Sequence, residues 1–255
     1  MTAPFDTASS QKQSLPFGSW PSDIHIEDVI SGATRMGGLT LAGERLWWAE
    51  SRPSDQGRQA LCSRALLAPQ SEPSQTVLGA PWNLRNRVHE YGGGALTANH
   101  STVWFCHDAD GAIYEYTPSH DAPSSPQKLH GLEGCRYADL TLFPQANVLL
   151  AVCEDHRDES RHEPQNYLVA IALLGNHRGT RRVLAEGHDF YSNPCPSPDG
   201  RQLAWLSWDH PNMPWDGTAL WCAHWNPDGL SQVQLIAGGP DESIFQPICI
   251  PMGTP

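Results

Sequence analysis

Four side chains that can bind charged groups lie within six positions of each other, just before a glycine triplet. They are Arg85, Arg87, His89 and Glu90, and the triplet begins at Gly92. Arginine binds carboxylates with two parallel hydrogen bonds, and a glutamate carboxylate pairs with an amine. The segment is therefore a candidate site for the charged terminus of a ligand. The alternative is a structural ion-pair cluster that links two neighbouring elements of the fold.

A second candidate site is the loop 209–217. It contains two prolines and an Asp-Gly pair, which favour a rigid loop of defined shape. Ordered loops often carry function, and we predict that His210 and Trp215 face a bound ligand. The alternative is a self-packed loop in which Trp215 is the central plug.

Histidines and carboxylates at 154–163 raise the question of a metal site. His156 and His162 are six positions apart, a spacing that matches no helix-borne zinc pair, and Arg157 and Arg161 would repel a cation. We therefore predict no metal and no cofactor, and we interpret the segment as a solvated loop between two strands.

Nucleophilic catalysis would need a sequence feature that these 255 residues lack. The G-x-S-x-G turn, which exposes a serine nucleophile beside an oxyanion hole, occurs nowhere in them. A serine without a positioned base is a poor nucleophile. We therefore predict no catalytic residue.

The composition indicates many short strands joined by turns. Charged residues make up 17% of the chain, whereas Gly and Pro number 22 each and Trp numbers 10; long amphipathic helices would need more Glu, Lys and Ala. The best helix candidate is Asp23–Ile30, with Ser22 as its N-cap. Residues 1–16 are predicted to be a disordered leader.

The formal net charge of −12 limits the classes of partner. Lysine occurs only at Lys12 and Lys128, so no basic stripe is available to follow phosphates, and we expect neither a nucleic-acid partner nor binding to an anionic membrane. No apolar run reaches the roughly 20 residues that span a bilayer. Seven widely spaced cysteines without a C-x-x-C pair indicate reduced thiols and a cytoplasmic location.

A repeat of about 50 residues runs through the chain. Successive units begin at Tyr91, Tyr137, Tyr191 and Phe245, at steps of 46, 54 and 54 residues. Each complete unit continues with a turn, a strongly apolar second strand, a third strand and a short fourth strand that ends near a glycine. Four antiparallel strands per unit are typical of β-propeller blades, whereas a plain β-sandwich would not explain the period.

We therefore predict an all-β fold, an incomplete β-propeller of about four blades and the start of a fifth. The blades are predicted at 37–80, 91–131, 137–187 and 191–239, and the fifth begins at 243–255. Their buried second strands are predicted at Leu46–Ala49, Val103–Cys106, Val148–Cys153 and Leu203–Trp208. An open blade edge is a template for pairing, so a homo-oligomer could form there.

Two long strings in the chain are specific enough to indicate a family. They are NLRNRVHEYGGG at 83–94 and WDHPNMPWDGT at 208–218, with weaker support from the segments 136–139, 154–157 and 239–243. These strings resemble the N-terminal propeller of prolyl oligopeptidase family serine peptidases, in the acylaminoacyl-peptidase and dipeptidyl-aminopeptidase-like branch. The resemblance covers nearly all of the chain after residue 16.

The resemblance implies a seven-bladed propeller that covers an α/β-hydrolase domain, with peptide substrate admitted between them. The catalytic serine, aspartate and histidine would belong to that domain, so this chain looks like the first part of such a peptidase, cut within the fifth blade. We expect a non-catalytic, substrate-gating propeller for short or N-blocked peptides, inactive alone, with a peptide and the hydrolase domain as partners. The alternative is a stand-alone propeller that binds a protein or peptide. A metal-dependent propeller hydrolase would need inward carboxylates around a cation, and no such set is visible.

Overall fold

The computed structural model describes residues 14–31, 34–69, 71–119 and 124–250. The chain divides into two compact units, Met1–Ala33 and Thr34–Pro255. The predicted leader falls mostly outside the described residues. The described part of the first unit contains the helix α1 (Ile26–Ser31).

Helix α1 begins three residues later than predicted. The Asp28 side chain accepts a hydrogen bond from the His25 N–H (3.0 Å), which places the N-terminal cap at His25. The Ser22 hydroxyl instead accepts from the Ile24 N–H (3.1 Å) and closes a local turn. The prediction of Ser22 as the N-cap was therefore wrong.

The described strands of the second unit form four antiparallel sheets of four strands each. Strands β1–β4 are Met36–Ala42, Arg45–Arg52, Arg58–Ala65 and Gln75–Leu78, and β5–β8 are Leu96–Ala98, Val103–Cys106, Ile113–Tyr116 and Gln127–His130. Strands β9–β12 are Cys135–Phe143, Val148–Asp155, Gln165–Ala172 and Arg181–Ala185, and β13–β16 are Phe190–Pro196, Gln202–Trp208, Thr218–Asn226 and Gly229–Gly239.

Each sheet is a meander whose strands follow chain order. The first strands of successive sheets contact each other, β1 with β5, β5 with β9 and β9 with β13, so they lie nearest a common axis. This arrangement of sheets is that of successive propeller blades. The predicted all-β propeller fold is confirmed.

The aromatic residues that open the sequence repeats do not occupy equivalent places. Tyr137 and Tyr191 lie on first strands and are buried, whereas Tyr91 and Phe245 are exposed. Tyr91 precedes β5 by five residues and lies in a link whose backbone has positive φ at His89, Glu90 and Gly92. The described part of the predicted fifth blade, 243–250, contains no strand.

The core lies between blades rather than within them. Strand β10 of the third blade shows why: Leu149 and Ala151 pack into a cluster shared with the second blade. Leu150 and Val152 pack into a cluster shared with the fourth blade. Because side chains alternate along a strand, an unbroken apolar run is what a strand between two blades requires.

Candidate functional site

All six predicted site residues lie on one face of the propeller. Strand direction alternates within each blade, so the links between blades and the loops from second to third strands emerge at the same end. The links are 79–95, 131–134 and 186–189, and the loops include 107–112, 156–164 and 209–217. We call this end the loop face. It places Arg85, Arg87, His89 and Glu90 on the same side as His210 and Trp215.

A buried carboxylate on the third blade organises the first group of residues. Glu154 is 2% exposed; its Oε2 accepts a hydrogen bond from the backbone N–H of His89 (2.6 Å). Its Oε1 lies 2.7 Å from Nε2 of His156 and 3.1 Å from Nη1 of Arg136. The same Nη1 donates to Oε1 of Glu90 at 2.7 Å. Arg136 thus bridges two carboxylates, the exposed Glu90 and the buried Glu154.

This network also holds the backbone that carries Glu90. His89 and Glu90 have φ angles of 53° and 64°, a left-handed conformation that costs free energy for residues other than glycine. Besides the bond from the His89 N–H to Glu154, Nη1 of Arg136 donates to the carbonyl of Arg87 (2.9 Å). The third blade therefore fixes the link between the first and second blades.

The His89 ring is enclosed by aromatic side chains. Its centroid lies 5.0 Å from that of Phe190 and 5.6 Å from that of Trp208. Burial lowers the pKa of His89, which favours the neutral imidazole. Its Nε2 is buried and has no hydrogen-bond partner among the described residues.

A cavity of about 230 Å³ opens beside Glu90. Its lining includes four carboxylates but no lysine or arginine. Asn166 closes one wall, is 5% exposed, and donates from Nδ2 to the carbonyl of Asp189 (2.7 Å), while its Oδ1 has no partner among the described residues. We call this cavity the acidic pocket; it is lined by His89, Glu90, Glu154, His156, Glu163, Pro164, Asn166, Asp189, Phe190 and His210.

A larger cavity of about 540 Å³ lies next to it. Its charged lining residues are Arg85, Arg87, Arg136, Asp108 and Asp110, and it shares His156 with the acidic pocket. We call it the arginine pocket. The two cavities together present opposite charges side by side on the loop face.

The structure joins His210 to the first group but leaves Trp215 apart. His210 lines the acidic pocket, and its Nδ1 lies 2.9 Å from Oδ2 of Asp189. Its ring centroid is 4.9 Å from that of Phe190. Trp215 is 68% exposed and lines neither pocket, so it is not the plug of a self-packed loop.

The interpretation of 154–163 as a solvated loop was wrong for its first two residues, and as a result Glu154 was not identified as a site residue. Glu154 and Asp155 are not in a solvated loop: both are buried and end strand β10. The apolar run that predicts this strand stops at Cys153, yet the pairing with β9 continues to Asp155. Extending the strand by the register of its partner would have revealed Glu154.

Within the described ranges, no group of three or more His, Cys, Asp or Glu residues could hold a metal ion. No helix of the described chain is long and apolar enough to cross a membrane.

Comparisons with known proteins find similar solved structures. No protein-family model matches it, and neither does any curated protein. Puromycin hydrolase does match among solved structures, as a mutant complexed with PGG: the sequence identity is 33%, the TM-score is 0.75, and the match covers 89% of this chain. Over nearly its whole length, the chain is similar to the propeller part of a prolyl oligopeptidase family peptidase. The predicted resemblance to the propeller of this family is thereby confirmed.

Two further structures define the extent of the match. A puromycin-hydrolyzing peptidase from Mycobacterium tuberculosis is 33% identical, with a TM-score of 0.72 over 91% of this chain. The chain spans only 36% of puromycin hydrolase and 35% of the mycobacterial peptidase. TolB from Acinetobacter baumannii, 14% identical with a TM-score of 0.52, shares the fold alone.

Proposed function

We propose that the chain is the substrate-selecting propeller of a peptidase and that its acidic pocket holds the free amino terminus of a short peptide. Similarity to the propeller part of a peptidase supports the peptidase class. The acidic pocket is the observation that carries the finer assignment, because its lining contains four carboxylates and unpartnered buried polar atoms but no lysine or arginine.

The chemistry of an ammonium group matches this lining. A terminal ammonium has three N–H donors and a positive charge. Glu90 supplies an ionised carboxylate, since the hydrogen bond from Arg136 lowers its pKa. Asn166 supplies an unpaired acceptor at Oδ1, and the neutral His89 has an unpartnered ring nitrogen. Leaving buried acceptors unpaired costs free energy, so a donor-rich ligand gains from entering.

The same lining discriminates between free and N-blocked peptides. An acylated terminus has one N–H donor and no charge, so it would satisfy fewer of the acceptors in the pocket and would bring no positive charge to its carboxylates. Of the two substrate classes expected from the sequence, the pocket therefore favours short peptides with a free terminus over N-blocked ones.

The proposal assigns binding, and not bond cleavage, to these residues. Hydrolysis would take place on the serine of an α/β-hydrolase domain that packs against the loop face, and the propeller would orient the peptide by its charged end. The seven free thiols support a reducing, cytoplasmic location. The net charge of −12 supports a small cationic group, rather than nucleic acid, as the ligand.

Binding of a tripeptide to the 255-residue chain tests the amino-terminal site. Isothermal titration calorimetry with Ala-Ala-Ala and its N-acetyl form should show weaker binding of the acetylated peptide by about tenfold. Glu90→Gln should weaken binding of the free peptide to a similar degree. The control is Glu44→Gln, an exposed glutamate in the turn between β1 and β2, at the opposite end of the blades. Equal affinity for both peptides would contradict the proposal.

A further inference from the structure

We propose that the arginine pocket binds the carboxyl terminus of the same short peptide, so that the loop face selects unblocked peptides by both ends. The placement of the amino end rests on the proposed function. The class of ligand assigned to this cavity is a free carboxylate, recognised by Arg85 with support from Arg87 and Arg136.

The positive groups of the pocket are largely uncommitted. The Arg85 side chain makes no hydrogen bond or ion pair with any described residue, whereas the Arg85 backbone N–H donates to the Asn83 carbonyl (3.0 Å). The Arg87 side chain is 61% exposed, and its Nε lies 3.7 Å from Asp108, too far for a hydrogen bond. Arg136 uses Nη1 for its bonds to Glu90, Glu154 and the backbone, which leaves Nε and Nη2 without partners in the described chain.

The negative groups of the pocket are already paired. Asp108 Oδ2 accepts a hydrogen bond from Nδ2 of Asn83 (3.1 Å). Asp110 Oδ2 accepts from Nζ of Lys128 (3.1 Å) and from the Tyr114 hydroxyl (2.9 Å). The free hydrogen-bonding capacity in the cavity is therefore that of guanidinium donors, which fit a planar carboxylate.

Two glycines keep part of the wall open. Gly111 and Gly134 line the cavity at positive φ. A Cβ on Gly134 would lie 2.9 Å from Cγ of Arg157, and one on Gly111 would lie 3.0 Å from the Cys135 carbonyl oxygen. The cavity of about 540 Å³ has room for a terminal residue in addition to its carboxylate.

The two pockets are close enough to share one short ligand. His156 lines both, and the ion pair between Arg136 and Glu90 joins a residue of the arginine pocket to one of the acidic pocket. An extended peptide advances by about 3.3–3.6 Å per residue. A peptide of a few residues therefore carries its opposite terminal charges at the separation that two adjoining pockets require.

Amidation of the peptide's carboxyl terminus tests this second site separately from the amino-terminal site. Calorimetry on the 255-residue chain should show that Ala-Ala-Ala amide binds about tenfold more weakly than the free acid. Arg85→Gln should weaken binding of the acid to the same degree while leaving binding of the amide unchanged. Because Arg85 is exposed, this variant should fold normally. The matched control is Arg201→Gln, an arginine with an 83% exposed side chain in the turn between β13 and β14.

The outcomes separate this proposal from the one on which it rests. Equal affinity for acid and amide, or an equal loss of both in Arg85→Gln, overturns the carboxylate site, whereas the acetylated peptide and Glu90→Gln report only on the amino-terminal site. If inorganic phosphate binds in an Arg85-dependent manner while acid and amide do not differ, the pocket is a phosphate site and the proposal is wrong. Absence of binding by every peptide overturns both proposals.

Discussion

The third and fourth blades have the same topology but different surroundings. The second strand of the third blade is covered on both faces by apolar clusters. The outer strand of the fourth blade, β16, is exposed along its middle, with Val233, Leu235 and Ile236 all more than half exposed. The third blade also carries Glu154 and Arg136. The site network is therefore built on a blade that packs between two neighbours.

The largest effect should come from truncating a side chain between blades. Leu150→Ala removes a fully buried side chain, and we expect a loss of about 3–5 kcal/mol in the free energy of unfolding because a cavity remains. Ile236→Ala on β16 should cost less than about 0.5 kcal/mol. Urea unfolding followed by tryptophan fluorescence measures both. If both variants lost a similar amount of free energy of unfolding, the proposed difference in packing between the two strands would be contradicted.

Neutralising the buried carboxylate should have the next largest effect. Glu154→Gln keeps the size of the side chain but removes the ion pair with Arg136. It also places an amide NH2, which is a donor, against groups that now donate to the carboxylate. We expect a loss of about 2 kcal/mol in the free energy of unfolding. The control on the fourth blade is Glu242→Gln, an exposed acceptor from the Gly238 N–H. A loss no larger than that of the control would show that Glu154 does not anchor the network.

Acid should act on the third blade through Asp155. The ion pair with Arg157, at 2.6 Å, lowers the pKa of Asp155 to about 2 from its ordinary value of 3.8. Because the folded state has the lower pKa, the stabilisation is present above about pH 4 and is lost as the pH falls towards 2. It should be on the order of 1 kcal/mol, since the half-exposed Arg157 is screened by solvent. Asp155→Asn should flatten the pH dependence in this window; an unchanged profile would contradict the assignment.

The smallest effect should appear as weak self-association through the fourth blade. Strand β16 spans Gly229–Gly239 and contains no charged residue, so its free edge can pair with a second copy. Sedimentation velocity should show concentration-dependent association that Val233→Lys weakens by about threefold, whereas Gln127→Lys on the outer strand of the second blade does not. A chain that stays monomeric at every concentration would contradict this prediction.

The fold could be predicted from the sequence because its signal is local and repeated. Strand β6 begins and ends where its apolar run predicts, Val103–Cys106. The beginning of α1 was missed because the cap is set by a hydrogen bond from the His25 N–H to the side chain of Asp28, five residues after the predicted start. Short-range hydrogen bonds of this kind leave little trace in an apolar pattern.

The site could be predicted only in part, because its residues meet across blades. The segment with Glu90 was identified from its own composition, but its partners are 46 and 64 positions further along the chain, at Arg136 and Glu154. Asn166, from a third strand, was not identified at all. Such contacts depend on how blades stack, which periodicity does not specify.

The guanidinium of Arg136 has a consequence for how a ligand exchanges with the site. Its Nη1 carries two hydrogens but faces three acceptors, on Glu90, Glu154 and the Arg87 carbonyl. At any moment, one of these three acceptors therefore lacks a full hydrogen bond from Nη1. An ammonium group bound at Glu90, as proposed above, would leave Arg136 with two full partners. Under the proposed function, ligand entry would therefore relieve a crowded donor and would not break a fully formed set of hydrogen bonds.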